Sequence, residues 1–179
     1  NSSTSSMDVQ QLLNKAFLTA QEAAQISTTD ALKIPSNRLV IKDSVSQVQK
    51  YWDVLHKLNM DPPFGRIEFT NVNTPQLTLS YLQYESDQDS DAQHGLLKFI
   101  DSSREYDLII SDLLVSDIEN ALSERLIDKF IVKDTMKNIS ANWNELKIAL
   151  EKGKLQGIEI SEGGNLTLTD LVKTSYREN

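Results

Sequence analysis

Apolar positions in this chain change their period several times, and each change marks an element. Residues 7–17 place Leu12, Leu13, Ala16 and Phe17 at helical spacing. Thr19 with Glu22 three positions on is a capping box that opens a second helix reaching Ile26. Arg38 to Lys42 is a short β-branched run and predicts a strand. From Val45 the apolar residues step by three and four through Val48, Trp52, Leu55 and Leu58, one stripe on a helix of about four turns. Ser44 with Gln47 begins that helix, and Asp61-Pro62-Pro63-Phe64-Gly65 ends it, since neither proline can extend it.

Strand character returns at Ile67–Thr70 and, after a turn over 71–75, at Leu77 and Leu79. Glu85 to Gln93 is polar and acidic and predicts a loop, and Gly95 to Ile100 a helical turn. Tyr106 to Ser111 is strand-like. A helix follows from Ser116 with Ile118, Leu122 and Leu126 on its buried side. Then come a strand at Phe130, a capped helix from Thr135, a strand at Ile158, and a turn at 163–165 into Leu166–Thr169.

The later elements replay the earlier ones at an offset of 91 residues. Leu39-Val40-Ile41-Lys42-Asp43-Ser44 answers to Phe130-Ile131-Val132-Lys133-Asp134-Thr135, Leu55 to Leu146, and Ile67–Thr70 to Ile158–Ser161. Trp52 answers to Trp143, and these are the only two tryptophans. Short apolar strands flanked by helices predict strands buried on both faces and joined by right-handed crossovers. The expected fold is therefore α/β: repeated strand-helix-strand units forming a mainly parallel sheet in a solenoid-like stack. The expected division is 1–17, a linker and N-terminal helix; 18–84, a first, diverged or capping repeat; 85–105, an acidic loop and short helix; and 106–179, a second repeat.

Charge narrows the partners. A net charge of -8 offers no basic patch to displace counterions from phosphate, so no nucleic-acid partner is expected. The same charge opposes anionic lipid surfaces, and no apolar run approaches the roughly 20 residues that cross a bilayer, so no membrane insertion is expected. Cysteine is absent, which removes disulfides and thiol chemistry. The opening Asn1-Ser2-Ser3-Thr4-Ser5-Ser6 reads as a linker, as in a piece of a longer protein.

Candidate chemistry is sparse. Asp87, Asp89 and Asp91 alternate as at the opening of a calcium loop and are the candidate metal ligands, with calcium the cofactor they would hold. Ala92 stands where such a loop needs glycine, and Leu97 and Lys98 stand near where its bidentate glutamate belongs. A solvated acidic loop is the favoured reading. Lys42-Asp43-Ser44 and Lys133-Asp134-Thr135 are read as helix starts, with the hydroxyl as cap and the carboxylate near the positive end of the dipole. Trp52 and Trp143 lie on the apolar stripes and are expected in the core. His56 and His94 are the only histidines and belong to no recognisable constellation. With no nucleophile elbow and no phosphate-binding glycine loop, no catalytic residue is assigned and no enzyme is expected.

The second copy carries a resemblance. Phe130 to Thr135, Asn138-Ile139-Ser140-Ala141-Asn142, Leu146, Gly153-Lys154-Leu155-Gln156-Gly157-Ile158 and Leu166 to Thr169 together resemble a recurring module of large bacterial secreted or surface proteins, the β-strand-repeat, RTX/hemolysin-like group. Leu79 to Tyr84, Tyr106 to Ser111 and Val115-Ser116-Asp117 are similar to the intervening half of that module, so the resemblance spans about residues 18–172. The first copy departs from it, with Gln47-Val48 for Asn-Ile and Pro63-Phe64-Gly65 for Gly-Lys-Leu. The resemblance implies an extracellular or bacterial cell-surface location and a non-enzymatic module that presents a binding face or acts as a spacer. Its partners would be neighbouring repeats and a protein or surface glycan. The alternatives are a protein-binding domain of a secreted effector or toxin and a calcium-dependent adhesion module.

Overall fold

The computed structural model describes residues 9–59, 64–71, 73–89, 95–101, 105–161 and 165–166. The chain divides into two compact units: residues 1–75 with 83–106, and residues 76–82 with 107–179. The fold is α/β, and its strands lie in two sheets rather than in the one stack expected.

In the first unit, three short helices, α1 (Val9–Leu13), α2 (Ala20–Ala24) and α3 (Thr28–Ala31), precede β1 (Leu39–Asp43). The Thr19–Glu22 capping box of α2 forms as the spacing predicts. The single long helix predicted after Ser44 is two: α4 (Val45–Lys50) and α5 (Trp52–Leu58), broken at Tyr51, whose φ of -102° and ψ of 10° leave the helical region. The prolines at 62 and 63 lie outside the described residues. The chain re-enters at β2 (Phe64–Phe69), which pairs parallel to β1. Leu18 bridges to Ile41 on the outer side of β1, and Ile100 bridges to Ile67 on the outer side of β2, both parallel.

The second unit is built on a sheet of β3 (Gln76–Leu79), β4 (Asp107–Leu113), β5 (Lys129–Asp134), β6 (Leu155–Ile160) and β7 (Asn165–Leu166), in that order. Neighbours from β3 to β6 are parallel; β7 runs antiparallel to β6. Between strands lie a 3₁₀ turn (Val115–Asp117) running into α7 (Ile118–Ser123), and then α8 (Met136–Ala141) and α9 (Trp143–Glu151). Leu126, expected on the buried side of a longer helix, lies beyond the end of α7 and is exposed. The strand at Leu77, grouped in the sequence with the first copy, pairs with β4. The Leu166–Thr169 strand is described only as far as Leu166, and the glycines of the preceding turn lie outside the described residues.

The pairs β1–β2 and β5–β6 carry the same register, 91 residues apart. Ile41 opposes Ile67 as Val132 opposes Ile158, and Lys42 opposes Glu68 as Lys133 opposes Glu159. Each pair also slips by one residue at the same place, with Gly65 extra in one and Gln156 in the other. The break between α8 and α9 falls at Asn142, with φ -121° and ψ 34°, the counterpart of Tyr51. Its side-chain amide donates to the carbonyl of Asn138 at 2.8 Å, a back-bond that bends helices.

Strands buried on both faces are not what the structure holds. Phe130, Val132 and Asp134 are buried while Lys129 and Lys133 are exposed, and Leu39 and Ile41 are buried while Lys42 is exposed. β4 is the exception, burying Leu108, Ile109 and Ile110 in succession. The tryptophans also part company: Trp52 is fully buried, Trp143 half-buried. α2 packs on both α4 and α5, whose junction Trp52 occupies, whereas α7 packs chiefly on α9, leaving the α8–α9 junction less covered.

Candidate functional site

The acidic stretch is where sequence and geometry diverge most. The segment predicted as a loop from Glu85 begins as the last turn of α6 (Tyr81–Gln88), and Asp87 lies on the buried side of that helix with Tyr84. The Asp87 residue is only 3% exposed. One carboxylate oxygen accepts the amide of Leu96 at 2.6 Å, and the other accepts those of Leu97 and of the Gln88 side chain, each at 3.2 Å. Burial pushes the Asp87 carboxyl up from its ordinary range; the two backbone amides, the charge of His56 and the Gln88 bond oppose that rise without cancelling it.

Gly95 makes this approach possible. A Cβ there would stand 2.5 Å from the Asp87 carbonyl oxygen and 3.1 Å from Oδ2, so any side chain would push the turn off the carboxylate. His56 reaches the same group from α5, with Nε2 3.7 Å from Oδ1. That nitrogen is buried and has no hydrogen-bond partner among the described residues. Asp89 is exposed, and Asp91 and His94 lie outside the described residues. Among the described residues no three His, Cys, Asp or Glu side chains gather as a metal site. The signal for α6 was present in Ser80-Tyr81-Leu82-Gln83, a Ser-x-x-Gln start.

The predicted helix starts at Ser44 and Thr135 form as caps, accepting the amides of Gln47 at 3.3 Å and Asn138 at 3.2 Å. The aspartates before them do more than sit near a dipole. Asp43 accepts from Ser44 at 2.8 Å and from Ala20 at 2.9 Å; Asp134 accepts from Thr135 at 2.7 Å and from Val115 at 3.1 Å. Asp134 also accepts the Asn138 side-chain amide at 2.9 Å. Burial alone would raise the Asp134 carboxyl, but the bonds from Asn138, Thr135 and Val115 outweigh it and hold the group below its ordinary range. Two further side chains repeat the arrangement: Asn71 accepts from Val45 at 2.9 Å, and Asp112 from Tyr81 at 2.7 Å. For Asn71, Asp112 and Asp134 a side chain at or just past the end of one strand receives the first amide of the element that follows the previous strand, and Asp43 does the same for α2, which follows the bridging residue Leu18. Sequence spacing could not reveal these bonds, because their partners are 19 to 31 residues apart.

Among the described residues, two surfaces of the second unit are open to solvent. On the sheet, Lys133 Nζ lies 3.7 Å from Glu159 Oε1 across β5 and β6. On the helical side, a groove of about 440 Å³ runs between α7 and α9, with Ile118, Leu122 and Ile148 as its apolar floor and Glu119, Glu145 and Lys152 among its walls. Ile148 is 45% exposed, a large apolar side chain left to water. No helix among the described residues is long and apolar enough to cross a membrane.

No protein-family profile, curated protein or solved structure matches the chain.

Proposed function

We propose that this chain is a non-enzymatic structural or interaction module of a larger bacterial secreted or cell-surface repeat protein, presenting a binding face or acting as a spacer. The observation that carries the reading is the shared register of β1–β2 and β5–β6, down to the slipped residue and the cap after each strand. Strand order supports it. From β3 to β6 each parallel strand lies beside its predecessor in sequence, and right-handed crossovers then keep the intervening helices on one side. Repeated strand-helix-strand units wound this way continue naturally into a solenoid-like stack, with neighbouring repeats as first partners. The other side of the sheet, carrying Lys133 and Glu159, becomes the face offered to a protein or surface glycan.

The groove between α7 and α9 favours a second reading, a protein-binding domain of a secreted effector or toxin, because exposed apolar side chains between charged walls suit a peptide or helix. Labelled protein applied to glycan and peptide arrays tests both readings. The sheet-face reading expects binding that Lys133→Glu abolishes and Ile148→Asp leaves intact; the groove reading expects the reverse. Turnover of any substrate, lost on a single substitution in the chain, would sink the non-enzymatic assignment.

A further inference from the structure

From the order of charges along α9 we infer that the groove between α7 and α9 is a self-association surface, filled by the same groove of a second copy of this chain in an antiparallel, two-fold arrangement. The inference rests on the groove as a protein-binding surface and names its partner. Glu145, Ile148 and Lys152 all line the groove. Steps of three and four residues place them on one stripe of α9, the acid about 4.5 Å before the isoleucine and the base about 6 Å after it.

The repeat itself does not call for that isoleucine. Ile148 is largely exposed, and the matching position on α5 is Lys57, also exposed. The helix pair therefore folds with a lysine at this place in one copy and leaves an apolar side chain in water in the other. Leu122, from α7, extends the apolar strip. Glu145 and Lys152 are exposed, and among the described residues neither makes an ion pair within the chain.

Acid, apolar, base is a self-complementary order. A two-fold interface brings the same patch of each copy together. When the two α9 helices run antiparallel and cross at Ile148, Ile148 meets Ile148 of the second copy, and each Glu145 faces the other copy's Lys152. Parallel helices would set Glu145 against Glu145 and Lys152 against Lys152, which like-charge repulsion opposes. Charge elsewhere also opposes association, since each chain carries -8. At physiological salt the Debye length of about 8 Å screens most of that repulsion, while the facing pairs act at contact distance. The patch is small, which places the dimer in the weak, concentration-dependent class.

Sedimentation equilibrium of the intact chain, from micromolar to millimolar concentration, tests the surface. The average mass should climb toward that of a dimer. Ile148→Asp, Glu145→Lys and Lys152→Glu should each move the midpoint about tenfold higher in concentration, because every change acts twice in a symmetric pair. All three positions are exposed, so the variants keep the fold. Combining Glu145→Lys with Lys152→Glu in one chain should return the midpoint to near the native value. An equimolar mixture of the two single reversals should associate where neither does alone. A chain that stays monomeric, association indifferent to Ile148→Asp, or reversals that the combined variant fails to rescue overturns the proposal. A monomer whose array peptide binding still falls with Ile148→Asp overturns the second copy as occupant and leaves the groove reading standing. Rescued self-association without array binding supports the proposal and removes the peptide partner alone.

Discussion

Asp134 accepts the amide of Val115 at 3.1 Å, so the carboxylate that ends β5 completes the turn that follows β4. Three donors converge on this one buried side chain. Asp134→Ala strands the buried Val115 amide and is expected to cost about 3 kcal/mol in urea denaturation. Asp134→Asn, which keeps an oxygen acceptor, should cost less.

The same group predicts an acid limb. The folded carboxyl ionises below its unfolded value of about 3.9, so its contribution is fully present above that pH and is lost as pH falls through the folded pKa. The urea midpoint of Asp134→Asn should therefore approach that of the native chain as the solution is acidified below about pH 4.

Glycine substitutions should separate sharply. Gly95→Ala drives a methyl into the Asp87 carbonyl and is expected to destabilise by about 2 kcal/mol. Gly153 has φ +73° with open space around it, so alanine there should cost about 1 kcal/mol through the backbone alone. Gly157 meets nothing within 4 Å and needs no special backbone, so Gly157→Ala should be near neutral. Thermal melts of the three variants check the order.

The two tryptophans should report different surroundings despite their matching positions. With Trp143→Phe the remaining Trp52 should emit at short wavelength and resist quenching by acrylamide. With Trp52→Phe the half-buried Trp143 should emit further to the red. Equal emission from the two variants would contradict the packing described for α2 and α7.

Calcium should leave stability unchanged. Both oxygens of Asp87 are taken by protein donors, and Asp89 is exposed, so neither is poised as part of a rigid cage. Melting curves in millimolar calcium and in chelator are expected to coincide; a shift of several degrees would favour the adhesion alternative.

Local chemistry was legible and long-range chemistry was not. Thr19, Ser44 and Thr135 act within four residues of themselves, so their caps could be read from spacing. The breaks at Tyr51 and Asn142 escaped because one off-helical residue does not disturb an apolar stripe that keeps its face, as Val48, Trp52 and Leu55 do. The loop expected from Glu85 starts later for a related reason: polar composition hid the last turn of a helix, and once α6 forms, Asp87 turns inward beside Tyr84. The half-open sheet was hidden because Lys42 and Lys133 were weighed as helix-start residues rather than as markers of a solvent-facing side.

The strand-end side chains that reach back to the previous helix start impose an order in time. Asp43, Asn71, Asp112 and Asp134 each follow, in the chain, the amide they satisfy. On a ribosome every helix in question emerges with its first amide bare and is finished only when the next strand has been made. Growth of the nascent protein should then proceed by delayed closure, each newly synthesised segment sealing the one before it.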